Sequence, residues 1–323
     1  MQTIPIFFSV NDAYAPFLAV ALHSIRQNAS PRYHYRVHIL SDDLSRENQT
    51  RLAALAQGDN FAVEFTPLSE KLRSLSLEKK LSRHRFGAFS SMTIYFRLFI
   101  PALFPQYDKG IYLDSDIVVP GDISQLWEEP MGDRLIGACA DYSIQHIAPF
   151  MRYIDRYVGV DHRNYVNSGV LLLNMRRLRQ VDLCGGFLRW MQRYGLETVA
   201  PDQDYLNALC WGCIHYLDPQ WDAMPSERIS ILDNPQIIHF NLGAKPWLNE
   251  SVPYDDIFWH YADAAGVGDE IRERRKEFLQ DPSAMKRYQK SIDGLVRLAA
   301  RLSNASCSFR SLITTRKESR LCS

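Results

Sequence analysis

The chain has 323 residues, with 37 Lys and Arg against 37 Asp and Glu, so the formal net charge is zero, and 46% of the residues are hydrophobic. That balance fits a globular protein with a large core. It excludes a disordered polyelectrolyte and a body-wide basic footprint for nucleic acid, and no run of about 18 apolar residues is present to cross a membrane as a helix. In chain order, Ile4–Val10 reads as a buried strand. Tyr14–Gln27 then sets Phe17, Leu18, Ala21, Leu22 and Ile25 at helical spacing. Tyr35–Leu40 is the next strand, and a helix runs from about Ser45 to Ala56, opened by a partial capping box with Asn48 where Glu is usual. Phe61–Phe65 is a third strand, Ser91–Phe99 a helix and Ile111–Leu113 a fourth strand. This alternation predicts an α/β fold with a mostly parallel, mixed sheet flanked by helices, which binds ligands at the carboxyl ends of its strands. Leu135–Ala140, Val170–Asn174 and Gln236–Phe240 read as further strands and Pro201–Leu209 as a helix. After about Val252 the pattern is helical and charged, so a body of residues 1–255 is expected before a helical, basic region of residues 256–323.

The zero net charge hides an asymmetry. Met285–Ser323 holds nine basic and two acidic residues, which leaves 28 basic and 35 acidic residues elsewhere. Within that tail Ile292, Leu295, Val296, Ala299 and Leu302 recur at helical spacing beside Lys290, Arg297 and Arg301, with Phe309, Leu312 and Ile313 beyond. Such a helix either lies on an anionic membrane or packs on the body with a solvated basic face. Met1-Gln-Thr-Ile-Pro has no basic n-region, so no secretory signal is expected. The six cysteines, Cys139, Cys184, Cys210, Cys213, Cys307 and Cys322, are then expected as reduced cytosolic thiols. Cys210-Trp-Gly-Cys213 has no second CxxC to make a zinc site.

The densest signal is Lys109-Gly-Ile-Tyr-Leu-Asp114-Ser115-Asp116-Ile-Val-Val119. Residues i and i+2 of an extended chain point to one side, so Asp114 and Asp116 project together from a strand end. The usual relief of their repulsion is a divalent cation with oxygen ligands, Mg²⁺ or Mn²⁺, which can also hold a diphosphate, although Asp-X-Asp read alone is more commonly two carboxylates in a surface turn. No Gly-x-Gly-x-x-Gly or P-loop is present, so a bound diphosphate would need that metal. Five further segments carry chemistry: Asn11-Asp-Ala-Tyr14; Arg97 within Thr93-Ile-Tyr-Phe-Arg97-Leu; Tyr165-Val-Asn167-Ser168-Gly169; Pro201-Asp202-Gln203-Asp204; and Ile237-Ile-His239-Phe-Asn-Leu-Gly243-Ala-Lys245-Pro-Trp247. Each also has a plain structural reading. Asp202 can be a helix cap, His239 a core histidine, Lys245 a loop charge, Arg97 half of an ion pair and Asn167-Ser168-Gly169 a turn.

The order of these motifs, from about Ile4 to Trp247, resembles family 8 glycosyltransferases, among them bacterial lipopolysaccharide galactosyl- and glucosyltransferases. The resemblance implies a GT-A fold, Mn²⁺ (with Mg²⁺ as the alternative), a UDP-sugar donor and retention at the anomeric carbon. It implies that Asp114, Asp116 and His239 hold the metal and that Lys245 contacts the diphosphate. Asn11, where relatives often have Asp, and Tyr14 would contact uracil. Ser115, Gly243, Asn167, Ser168 and Asp141 would join them around the donor. Arg97 and Asp202 would bind sugar hydroxyls, Gln203 would lie nearest the anomeric carbon, and Asp204 is the alternative nucleophile. Phe89 stands where some relatives have a histidine.

Retention needs either a carboxylate nucleophile or a same-face route in which the departing phosphate takes the acceptor's proton; the amide of Gln203 favours the second. The implied activity is hexosyl transfer from UDP-glucose or UDP-galactose to a saccharide acceptor, lipid-linked lipopolysaccharide or another surface glycan. The tail would hold the enzyme peripherally on the cytoplasmic face of the inner membrane, and nucleic acid is not a partner. Rivals are another polymer or protein acceptor, a catalytically silent nucleotide-sugar-binding protein, and a two-metal phosphodiester hydrolase, for which no second metal cluster is evident in the sequence.

Overall fold

The computed structural model describes residues 1–74, 93–225 and 231–315. Phe89, Cys322 and the basic end of the tail, residues 316–323, lie outside the described residues. Two compact units are built from interleaved segments: Met1–Pro67, Ile111–Glu129 and Asp218–Ser291 form the first, and Leu68–Gly110, Pro130–Leu217 and Ile292–Ser323 the second.

In the first unit, β1 (Gln2–Ser9), β2 (Tyr33–Leu40), β3 (Phe61–Thr66) and β4 (Gly110–Leu113) pair in parallel in the order β3-β2-β1-β4. Ile4, Ile6, Phe7 and Phe8 of β1 and Ile111, Tyr112 and Leu113 of β4 have no exposed surface. Continuous apolar runs of this kind belong to strands covered on both faces. Helix α1 (Ala15–Asn28) starts with Pro16 in its first turn and buries the predicted stripe of Phe17, Leu18, Ala21, Leu22 and Ile25. Helix α2 (Arg46–Leu55) is capped by Ser45, whose hydroxyl accepts the Asn48 N–H. The missing half of the capping box has a substitute. Asp12 accepts 2.8 Å bonds from the Asn48 side chain and the Ser45 N–H, which ties the start of α2 to the turn after β1. A separate two-stranded ribbon pairs β5 (Ile117–Val118) antiparallel with β9 (Ile238–His239).

In the second unit, β6 (Ile136–Ala138) pairs antiparallel with β7 (Val170–Leu173) and parallel with β8 (Ile214–Tyr216). The strand expected to reach Ala140 ends at Ala138, and a single bridge from Ala140 to Val166 continues it, which sets Asp141 close to Asn167. The helix expected over 91–99 is a 3₁₀ segment, Thr93–Leu98, followed by a short α-helix, Ile100–Leu103. Pro101 explains the break: it has no N–H for the carbonyl of Arg97, four residues back.

The helical C-terminal region is present as Asp255–Ala264, Gly268–Gln280, Pro282–Leu302 and Phe309–Thr315. Ala299, Leu302 and Phe309 are buried, and Phe309 stands edge-on to Tyr205 at 4.8 Å and to Tyr157 at 5.9 Å. Much of the tail's apolar stripe is therefore core of the second unit. No described helix is long and apolar enough to cross a membrane. Cys139, Cys184, Cys210 and Cys307 form no disulfide, in line with the expectation, but Cys213 is disulfide-bonded. The CxxC spacing does not reveal this, because the two cysteines of the motif are not joined to each other.

Candidate active site

The first unit gathers Asp114, Asp116 and His239, whose ligating atoms lie within 4.8 Å of one another. Asp114 directly follows β4 and Asp116 precedes β5, while the β5–β9 register sets His239 opposite Ile117. A 2.9 Å bond from the Phe240 N–H to the Asp116 carbonyl closes that register. His239 Nε2 faces Asp116 Oδ1 at 3.4 Å and Asp114 Oδ2 at 3.9 Å. Its Nδ1 lies 3.0 Å from Asp222, a carboxylate with 1% exposure. A carboxylate on Nδ1 fixes the tautomer that leaves Nε2 as the ligand atom. Two carboxylates and one imidazole form a mixed oxygen–nitrogen donor set, which fits Mn²⁺ better than Ca²⁺. Asp114 also accepts the Tyr112 hydroxyl at 2.7 Å.

Lys245 completes the charge balance. Its ammonium is paired with Asp116 Oδ2 and donates to the Phe240 carbonyl at 2.8 Å. Burial alone would raise the Asp116 pKa, but Lys245 and His239 hold it well below the carboxylate range. Burial likewise opposes the charged forms of His239 and Lys245. Asp222 and Asp116 outweigh it at His239, and Asp116 and Tyr14 outweigh it at Lys245, so both pKa values lie above their usual ranges. Lys245 also stands 5.2 Å from the Trp247 ring, which stacks on Phe17 at 4.0 Å. Asn11 follows β1 and accepts the Tyr14 N–H with its side chain, and Tyr14 senses the charges of Lys245, Asp116 and Asp114. Ser115 is buried between the two aspartates, and Gly243 lies in the loop before Lys245.

The second unit holds a separate buried polar network. Arg97 is paired with Asp202 at 2.9 Å and donates to the Ser168 carbonyl at 2.6 Å. The Ser168 hydroxyl donates to Asp202 at 2.8 Å. Gln203 is fixed at both ends: Oε1 accepts the Ser168 N–H at 3.0 Å, and Nε2 donates to Asp141 at 2.9 Å. Asn167 donates to the same Asp141 oxygen at 3.1 Å. Asn207 clamps the N–H and carbonyl of Val166 at 2.8 Å each, which locks the turn that presents Asn167 and Ser168. Asp202 is not a simple cap, since Ala200 caps that helix without a side chain. Asp204 serves another purpose. It has no exposed surface, and its oxygens accept the Tyr153 and Tyr165 hydroxyls at 2.7 Å each and the N–H groups of Val199 and Ala200. So enclosed, it anchors the start of the helix and is not placed to attack a sugar.

The profile of Glycosyl transferase family 8 matches residues 5–251. The chain belongs to this family. Among curated relatives of this family 8 chain, a Haemophilus influenzae protein that bears a glycosyltransferase name is 26% identical over 227 residues, 70% of this chain and 65% of that protein. General stress protein A of Bacillus subtilis is 25% identical, over 78% of this chain and 90% of its own length. Among solved structures, the galactosyltransferase LgtC, determined with donor and acceptor sugar analogues, matches with a TM-score of 0.65 and 25% identity, over 81% of this chain and 96% of LgtC. The bifunctional glycosyltransferase WbbM shares the fold, with a TM-score of 0.69 and 22% identity, over 84% of this chain and 52% of WbbM. The GT-A fold implied by the motif order is therefore the fold of this family 8 chain.

The sequence missed Asp222 and Tyr153, and it singled out the segment that begins at Tyr165 without giving that tyrosine a role. Asp222 lies in a short 3₁₀ turn, Pro219–Asp222, with no motif around it; only the alternation of hydrogen bonds among Ala223, Ile237 and His239 sets it under the histidine. One further Asp/His group among the described residues, Asp155, Asp161 and His162, is surface-lying, and Asp161 is already taken by Arg163. It does not supply the second metal cluster of a hydrolase.

Proposed function

We propose that this chain is a retaining, metal-dependent hexosyltransferase that moves glucose or galactose from a UDP-sugar to a saccharide acceptor, lipid-linked lipopolysaccharide core or another cell-surface glycan. The observation that carries this reading is the convergence of Asp114, Asp116 and His239, with Lys245 beside them, in a family 8 chain. Mn²⁺ on these three side chains would act as a Lewis acid on the diphosphate leaving group. Lys245 adds a compact positive charge for the same oxygens, and Asn11 and Tyr14 take the uracil. Arg97, Asp202, Asn167, Ser168 and Asp141 orient sugar hydroxyls from side chains already locked by one another, so little ordering entropy is lost on binding. Both ends of the Gln203 amide are spent on positioning, and Asp204 is enclosed. These two facts support the same-face route over a covalent intermediate. Release of UDP from one of the two UDP-hexoses, stopped by EDTA, tests the reading.

We further propose that residues 1–255 form the catalytic body and that the basic region of residues 256–323 holds the protein peripherally on the cytoplasmic face of the inner membrane. Ile292, Leu295 and Val296 are only half-buried, beside exposed Lys290 and Arg297. Truncation is a poor test, because it would strip Phe309 from the core. Replacing Lys290 and Arg297 by Glu should instead reduce co-sedimentation with anionic vesicles about tenfold or more at low salt, since each basic residue adds about 1 kcal/mol of surface attraction. Unchanged sedimentation contradicts the membrane role.

A further inference from the structure

The loop between His239 and Lys245 holds a backbone conformation its sequence does not favour. Leu242 has φ +45°, one of three non-glycine residues with positive φ among the described residues, and it is 41% exposed. A branched aliphatic side chain gains nothing there, since the left-handed region crowds Cβ against the backbone. Such strain persists only where neighbours over-determine it. Three contacts do so. The Tyr288 hydroxyl, on the Pro282–Leu302 helix, donates to the Leu242 carbonyl at 3.1 Å. The Asn249 side chain donates to the Gly243 carbonyl at 2.8 Å and to the Lys245 carbonyl at 2.9 Å. Tyr288 also stands over the next residue: a Cβ on Gly243 would lie 3.5 Å from its hydroxyl. The phenol packs edge-on against Phe278 at 6.0 Å.

We propose that Tyr288 is a positioning residue for donor binding: its hydroxyl holds Leu242 in the left-handed conformation that presents Gly243 and Lys245 to the nucleotide diphosphate. This role rests on the donor-site reading given above. Without the hydroxyl, Leu242 relaxes toward ordinary φ, and the 241–245 loop turns away from the diphosphate-facing geometry. The loss falls on donor binding, because the network of Arg97, Asp202 and Gln203 is untouched.

The test is a double-mutant cycle in the full chain, read by calorimetry with UDP and Mn²⁺ and by initial rates with the donor. Tyr288→Phe should weaken UDP binding and raise the donor KM about fivefold, the worth of one hydrogen bond, with kcat within about twofold and the melting temperature little changed. Leu242→Gly removes the conformational penalty. In that background Tyr288→Phe should cost less than about twofold. The role is overturned if Tyr288→Phe binds UDP as the wild type does, or if its cost is the same in both backgrounds, which would make the hydroxyl act independently of the strained residue. A wild-type protein with no Mn²⁺-dependent UDP affinity overturns the donor-site reading and this role with it. That outcome is distinct, because it appears before any substitution is made.

Discussion

Replacing Asp114 by Asn is expected to lower metal-dependent UDP release about a thousandfold while leaving the fold intact. The size follows from the several kcal/mol that a Lewis acid contributes at a charged leaving group. The fold survives because the Asp114 side chain is 24% exposed and its Asn replacement still accepts from the Tyr112 hydroxyl. Asp116→Ala should abolish turnover as well, at a cost in stability of about 3–5 kcal/mol. It leaves the buried ammonium of Lys245 without its carboxylate. Comparing the two variants by turnover and by thermal melting separates loss of the metal ligand from loss of the ion pair. Activity retained by Asp114→Asn would sink the metal assignment.

The second large effect is on stability. Asp204→Ala should destabilise the protein by about 3–5 kcal/mol, because two tyrosine hydroxyls and two backbone N–H groups lose their acceptor inside the core. Asp204→Asn keeps an acceptor and should be far milder, with a pH signature. Burial, only partly offset by the hydrogen bonds from Tyr153 and Tyr165, raises the Asp204 carboxyl from the unfolded value of 3.8 to about 6. The folded state thus prefers the protonated form. The stability this group contributes is fully present below pH 3.8 and is lost as pH rises through about 6. Relative to Asp204→Asn, the wild type should lose about 2.4 kcal/mol between pH 4 and 7, read from denaturant unfolding across pH. A flat difference would mean that Asp204 is not buried as a charge.

Much of this was legible along the chain because it depends on short-range geometry. The two-residue period of a strand end put Asp114 and Asp116 on one side. The buried runs of Ile4–Val10 and Ile111–Leu113 read directly as parallel strands. Asp202 and Asp204 show the limit. Two residues apart on a helix they lie some 200° apart, so they cannot share a task. One meets Arg97, and the other turns to Tyr153 and Tyr165. Which faces what depends on elements far away in sequence. Asp222 was illegible for the same reason, being set beneath His239 by backbone bonds across a ribbon. The tail's amphipathic period could not distinguish a membrane from the protein's own core, and Phe309 takes the core.

Whether the Asp114, Asp116 and His239 cluster supports transfer from a UDP-hexose is decided by measuring UDP release from a panel of nucleotide sugars, with Mn²⁺ and with EDTA, before any acceptor is supplied. Slow release from UDP-glucose or UDP-galactose that stops on chelation is the expected result. Release from none of them, together with no metal-dependent UDP binding by calorimetry, would contradict it and leave only the fold in common with family 8.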